Sequence, residues 1–343
     1  LVSFRGPIRY RGEVLAELVN GASDTIAVCG SHGKTTAATW IAKLLRALGE
    51  DVAWCIGGET GGFPVAGVGT GPLVVEADES DGTLALYKAK TLVVNKCEYD
   101  HPDHFKTEAD YFACYERAKR QAGSVVESEK LDSLEALDAL ENLAAHNRKN
   151  ARAAVEVALR RGHALDAVLQ ALTAVVAELP DRRFQVVWRS PAVVTDYAHH
   201  PTEMKCAVEM ARAICRGKLR VLFQPHRYSR TRALLNDFPP AFEGADEVVL
   251  CPAYAAFEHP VEGGDIADLY AATRSWLSAQ GKKAALYLAR SCAEAWEHAR
   301  NSMADGDVTL LLGAGDIIGL VPQVQKDLAA PRGSDRPKRR IWI

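Results

Sequence analysis

A seven-residue stretch, Gly30-Ser31-His32-Gly33-Lys34-Thr35-Thr36, stands between the apolar run Thr25–Cys29 and a helical pattern over Thr35–Leu48. Phosphate oxygens need several converging N–H donors, and glycines let backbone approach them closely. The N-terminus of the following helix adds partial positive charge. Lys34 can then reach β- and γ-phosphates, and the Thr35 hydroxyl can hold Mg²⁺. The general pattern for such loops wants glycine at position 28, where this chain has Val28. The order of strand, Gly-Lys-Thr-Thr and helix nevertheless makes a nucleotide-binding loop the expectation. A glycine-rich turn with an exposed lysine is the bland alternative.

Alternation carries the reading from this loop to the whole chain. Leu73–Glu76 and Thr91–Asn95 are further short apolar runs, and helix-like segments separate them. Ser128–Gly162 reads as helix throughout, and a second helix runs from Leu165 to about Glu178. After a break at Leu179–Arg183 the rhythm restarts, with strand candidates at Ala192–Thr195, Leu219–Phe223, Glu247–Leu250, Ala284–Leu288 and Val308–Leu312. The expected fold class is α/β: a phosphate-loop domain with a parallel sheet, then a Rossmann-like α/β domain. A length of 343 residues accommodates both. The net charge of −3 supports no nucleic-acid partner, and no apolar run is long enough to span a bilayer. The eight cysteines are scattered without a C-x-x-C pair, so a reducing cytoplasmic setting is expected rather than disulfides or zinc.

Several stretches are then identified together. They are Glu76-Ala77-Asp78-Glu79-Ser80-Asp81, Asp100-His101-Pro102-Asp103, His146-Asn147, Arg182-Arg183-Phe184, Asp196-Tyr197-Ala198-His199-His200-Pro201-Thr202-Glu203 and Gln224-Pro225-His226-Arg227-Tyr228-Ser229-Arg230-Thr231. With the short G-x-x-G-K-T loop, they resemble the Mur ligase family over roughly Ile8 to Gly319. The last two look like its alanine-adding branch. The resemblance implies an ATP-dependent ligase that joins L-alanine to the carboxylate of UDP-N-acetylmuramate through an acyl phosphate, in peptidoglycan precursor synthesis. ATP and Mg²⁺ are the implied cofactors.

Site residues follow from the resemblance one by one. Lys34, Glu76 and His101 are the implied catalytic residues, with Thr35, Glu76 and His101 around Mg²⁺. ATP is assigned to Gly30, Ser31, His32, Gly33, Lys34, Thr35, Thr36, His146, Asn147, Arg183 and Asp196. Tyr197, His199, His226, Arg227 and Arg230 are assigned to the amino acid or muramoyl substrate. Independently of the family, Glu76 ends an apolar strand, where ligands bind in such sheets, although a strand-ending surface acid is the commoner reading of such a residue. Arg227 and Arg230 can likewise form a bidentate carboxylate clamp, with a solvated basic turn as the alternative. Gly313-Ala314-Gly315 reads as a tight strand-to-helix turn.

The chain also departs from the family pattern. Residues 1–22 read as the linker from an absent UDP-binding domain, so weaker recognition of the uridine handle is expected. Residues 23–181 read as the ATP-binding domain, shortened to one helical stretch between Gly123 and His146. Residues 182–325 form the C-terminal domain, and 326–343 a basic tail. Two alternatives stay open: a related ligase with a non-UDP acyl substrate, and a non-catalytic nucleotide-binding scaffold. The oligomeric state is not legible.

Overall fold

The computed structural model describes residues 6, 8–58, 62–102, 104–132, 134–138 and 143–329. Asp103 and residues 330–343 of the basic tail lie outside the described residues. The chain divides into two compact units, Leu1–Arg183 and Phe184–Ile343.

The first unit contains helices α1 (Arg11–Gly21), α2 (Lys34–Ala47), α3 (Glu108–Gln121), α4 (Glu135–Asp138), α5 (Ala145–Arg160) and α6 (Leu165–Val176). Its strands are β1 (Thr25–Cys29), β2 (Ala53–Cys55), β3 (Ala66–Gly67), β4 (Leu73–Glu76), β5 (Thr91–Val94) and β6 (Ser124–Glu127). They form one sheet in the order β3-β2-β4-β1-β5-β6, parallel except for the β2–β3 pair. Every residue of β1 is buried, as a central parallel strand covered on both faces requires. Because side chains alternate along a strand, Ile26 and Val28 join the core formed with α2, α5 and α6. Ala27 and Cys29 join the opposite core, with residues of α1 and α3. The chain leaves the C-terminal end of β1 between β4 and β5, the kind of strand-order reversal where such sheets bind ligands.

The second unit carries β7 (Gln185–Arg189), β8 (Ala192–Asp196), β9 (Leu219–Phe223), β10 (Glu247–Leu250), β11 (Ala285–Leu288) and β12 (Val308–Leu312). Its helices are α7 (Pro201–Ile214), α8 (Tyr228–Ala233), α9 (Phe238–Ala241), α10 (Ile266–Ala279), α11 (Cys292–Arg300) and α12 (Val321–Ala329). The sheet runs β11-β10-β9-β12-β8-β7, and only β7 is antiparallel to its neighbour. Strands β9 and β12 are buried end to end.

Four expectations need correction. Residues 11–21, read as linker, form α1, and Leu15, Ala16 and Val19 are buried against the sheet's second core. The segment after Gly123 begins with a strand: β6 pairs in parallel with β5, although four residues of Ser-Val-Val-Glu carry too little periodicity to announce it. The continuous helix over Ser128–Gly162 is instead a 3-10 turn at Ser128–Lys130, then α4 and α5. Leu131, Leu134, Leu137 and Leu143 all pack into the α2–α5 core, so apolar burial breaks a run that composition alone would continue. Residues 326–329, read as tail, complete α12, whose Val324 is buried. Among the described residues, no helix is long and apolar enough to cross a membrane. All eight cysteines are free.

Candidate active site

The phosphate-type loop is shaped by two glycines that no other residue could replace without rearrangement. Gly30 has φ 131° and lies against Asn95, where a Cβ would approach to 2.8 Å. Gly33 caps α2 at φ 76°, and a Cβ there would meet the Asn150 amide at 2.5 Å. Both positions have positive φ, where only glycine is unstrained. Beneath them the buried amides form a ladder: Asn95 Nδ2 donates to Asn150 Oδ1 at 3.1 Å, and Asn150 Nδ2 to Asn147 Oδ1 at 3.2 Å. Ser31 faces the wall of the loop, accepting from the Glu98 amide at 2.8 Å and lying 2.8 Å from the Tyr111 hydroxyl. His32 Nε2 pairs with Glu98 Oε1. Thr36 is buried in the first turn of α2.

Lys34 is the centre of the arrangement. Its Nζ donates to Gly30 O at 2.9 Å and to the two oxygens of Glu79 at 2.9 and 3.1 Å, with Asp78 Oδ1 at 3.8 Å. Burial lowers the lysine pKa, but Glu79, Asp78 and Glu76 outweigh it and hold the ammonium above its ordinary value. Asp78 shows the converse. Burial raises its pKa, and the charges of Lys34 and His101 pull it below the usual carboxylate range.

Glu76 is the last residue of β4, as expected for a ligand-bearing edge. Its Oε1 accepts from the Thr35 hydroxyl at 3.0 Å, and its Oε2 from the Gly57 amide at 2.7 Å. His101 adopts φ 59°, and its Nε2 lies 3.7 Å from Glu79 Oε1 and 3.6 Å from Asp100 Oδ2. The structure thus brings Lys34, Thr35, Glu76 and His101 to one edge of the sheet and adds Glu79 and Asp78, which sequence reasoning did not select. Ligand atoms of Asp78, Glu79 and His101 lie within 4.8 Å of one another. The two carboxylates suit a hard divalent cation, and the imidazole adds one nitrogen donor. Glu79 is fully buried. The only signal for it was its place in the Glu76–Asp81 stretch, where four acids compete for notice. His146 is exposed at the start of α5, Asn147 beside it is buried, and the Arg183 amide donates to Pro180 O at 3.0 Å.

In the second unit the expected substrate residues collect at the C-terminal ends of β8 and β9. Asp196 ends β8, and its carboxylate accepts from the amides of Phe184 and Ala198, each at 2.7 Å. The rings of Tyr197 and His199 meet edge-on at 5.3 Å, His199 and His226 lie 5.6 Å apart, and His226 stacks on Tyr254 at 5.4 Å. Arg227 caps α8 with φ 72°, its amide donating to Tyr254 O at 2.8 Å. Arg230 is buried, its Nη1 3.4 Å from His226 Nδ1. Arg227 and Arg230 therefore rise from one turn of backbone, as a carboxylate clamp requires. Tyr254 had no signal, because nothing in its surroundings marks a loop residue that will meet His226. Gly313, at φ 148°, turns the chain from β12 into a 3-10 helix.

Compared with known proteins, residues 182–315 match the family described as Mur ligase, glutamate ligase domain. The UDP-N-acetylmuramate–L-alanine ligase of Anaeromyxobacter dehalogenans strain 2CP-1 is 32% identical, over 93% of this chain and 79% of that protein. The enzyme of the same name from Methylocella silvestris is 30% identical, over 95% of this chain and 80% of that protein. Among solved structures, the UDP-N-acetylmuramate-alanine ligase of Thermotoga maritima superposes with a TM-score of 0.73 at 23% identity, covering 93% of this chain and 78% of that one.

Proposed function

We propose, from the premise that the chain belongs to the Mur ligase family and groups there with the UDP-N-acetylmuramate–L-alanine ligases, that it uses ATP to join L-alanine to the carboxylate of UDP-N-acetylmuramate. The observation that carries this reading is Lys34, an ammonium bonded to the glycine-shaped loop and to Glu79, with the Thr35–Glu76 and Glu79–His101 contacts at the same sheet edge.

The substrate carboxylate attacks the γ-phosphorus of ATP, ADP leaves, and an acyl phosphate forms. The amine of L-alanine then attacks the acyl carbon, inorganic phosphate leaves, and the amine gives up a proton. Lys34 serves the first step by countering charge that grows on the transferred phosphoryl oxygens. Its contact with Glu79 pre-aims the ammonium at the loop. Mg²⁺ held by Thr35, Glu76 and His101, with Asp78 and Glu79 at hand, would neutralise phosphate charge. Arg227 and Arg230 would take the L-alanine carboxylate. Asn147, in the unit that carries the loop, would serve the nucleoside end of ATP.

Phosphate release with UDP-N-acetylmuramate, measured with and without L-alanine, tests the reading. Release should depend on L-alanine, and Lys34→Ala should lower kcat by about a hundredfold or more with unchanged circular dichroism. Near-normal turnover by that variant removes the phosphate-loop role. L-alanine dependence that persists with another muramoyl acid but not the UDP-linked one would reassign the acyl substrate.

A further inference from the structure

The loop that follows β10 closes on α8 through a contact that the proposed chemistry does not yet use. Glu258 Oε2 accepts from the Ser229 amide at 3.0 Å, and its Oε1 from the Ser229 hydroxyl at 2.6 Å. Ser229 lies between Arg227 and Arg230 in the first turn of α8. The same loop presses on its surroundings at two more points. The Tyr254 carbonyl receives the Arg227 amide, and Gly264 lies so near Tyr228 O that a Cβ would stand 2.3 Å from it.

The backbone that delivers Glu258 is strained. Ala256 and Phe257 have φ 46° and 69° at the centre of a tight turn closed by the Glu258 amide on Ala255 O at 2.9 Å. Two consecutive positive φ angles belong to turns that favour glycine, asparagine or aspartate, and here both residues carry ordinary side chains. Phe257 is fully exposed, so packing of its ring does not offset this cost. Such a conformation persists only where surrounding contacts over-determine it. Contacts around this turn include Tyr254 on His226, the Tyr254 backbone on Pro225 and Arg227, and Glu258 on Ser229.

We infer that Glu258 is a positioning residue for the Arg227–Arg230 pair, an assignment that rests on the proposed L-alanine site. By holding the first turn of α8 from outside the helix, its carboxylate sets where the two guanidinium groups stand relative to each other. It touches no reacting atom.

Three variants test this: Glu258→Ala, Glu258→Gln and Ser229→Ala. Steady-state kinetics would give KM for L-alanine and for ATP, and amide hydrogen exchange would report on residues 227–233. Glu258→Ala should raise KM for L-alanine by about tenfold, leave KM for ATP within about twofold, and speed exchange in α8. Glu258→Gln, which keeps an oxygen acceptor for the Ser229 amide, should restore part of the loss. Ser229→Ala should fall between wild type and Glu258→Ala. Unchanged exchange in Glu258→Ala overturns the latch. Faster exchange with unchanged KM for L-alanine overturns its positioning role and leaves a purely structural contact. A wild-type enzyme whose turnover ignores L-alanine overturns the substrate reading itself, which the wild-type assay alone reveals.

Discussion

Lys34 and Glu79 make the sharpest case at the scale of single residues. Glu79 is fully buried and Lys34 partly so, and their ion pair takes the place of water that both have lost. Removing one member of such a pair leaves an uncompensated buried charge, which commonly costs about 3–5 kcal/mol. Glu79→Ala should therefore destabilise the first unit by about that much in urea unfolding. The double variant Lys34→Ala/Glu79→Ala should recover much of the loss, because no orphaned charge remains. A double variant whose loss equals the sum of the two single losses would show that the pair is not coupled. The stake is functional as well: a lysine so well held is already aimed at the loop before a phosphate arrives, and little reorganisation is left for the reaction.

Among the elements, α2 does two jobs with its two ends. Its N-terminus carries Lys34, Thr35 and Thr36, and its body is buried on nearly every side, with Trp40, Ile41, Leu44 and Leu45 fully enclosed. Trp40 also donates from its indole to Glu178 O at 3.1 Å, tying α2 to the chain just after α6. Trp40→Ala should lower stability by about 3–5 kcal/mol, from lost burial and the cavity left behind. Because the loop depends on the register of this helix, KM for ATP should rise in the same variant at temperatures where it remains folded. A stability loss under 1 kcal/mol would mean that the α2 core collapses into the space, contrary to its close packing.

At the scale of the whole chain, both units are pinned by guanidinium–carboxylate networks away from the site. Arg161 reaches Asp24 at 3.0 and 3.1 Å and Glu50 at 2.8 Å, and Arg220 reaches Asp307 at 2.7 Å. Burial pushes Asp24, Glu50 and Asp307 upward in pKa, yet their arginine partners, joined by Lys90 at Asp24, His163 at Glu50 and backbone amides at Asp307, outweigh it and leave all three below the ordinary value. A carboxylate depressed in the folded state contributes stability above its unfolded pKa of about 4, and that contribution disappears as pH falls through the lower folded value. Urea midpoints should thus be nearly level from pH 7 to 5 and drop steeply below about pH 4. A midpoint that holds from pH 7 to pH 3 would show that these networks contribute nothing.

What could be read from the residues alone was whatever local order encodes. The Gly30–Thr36 loop, the apolar runs that became β1, β4, β5, β8, β9, β10 and β12, and the acid ending β4 are consecutive in the chain, so spacing and residue type reveal them. The strands β2, β3, β6 and β7, at or next to a sheet edge, escaped notice because their pairing partners, not their own sequences, make them strands. Helix α1 looked like a linker for a similar reason: Leu15, Ala16 and Val19 become a buried face only once a sheet lies beneath them. The same holds within the site. Lys34 and Glu76 announce themselves by position, whereas Glu79 against Lys34, Asn150 against Gly33, Tyr254 against His226 and Glu258 against Ser229 are contacts between residues 28 to 117 places apart. Local propensity carries no information about such pairs. They exist because parallel strands return their ends to one edge of a sheet, and only tertiary packing decides which side chains meet there.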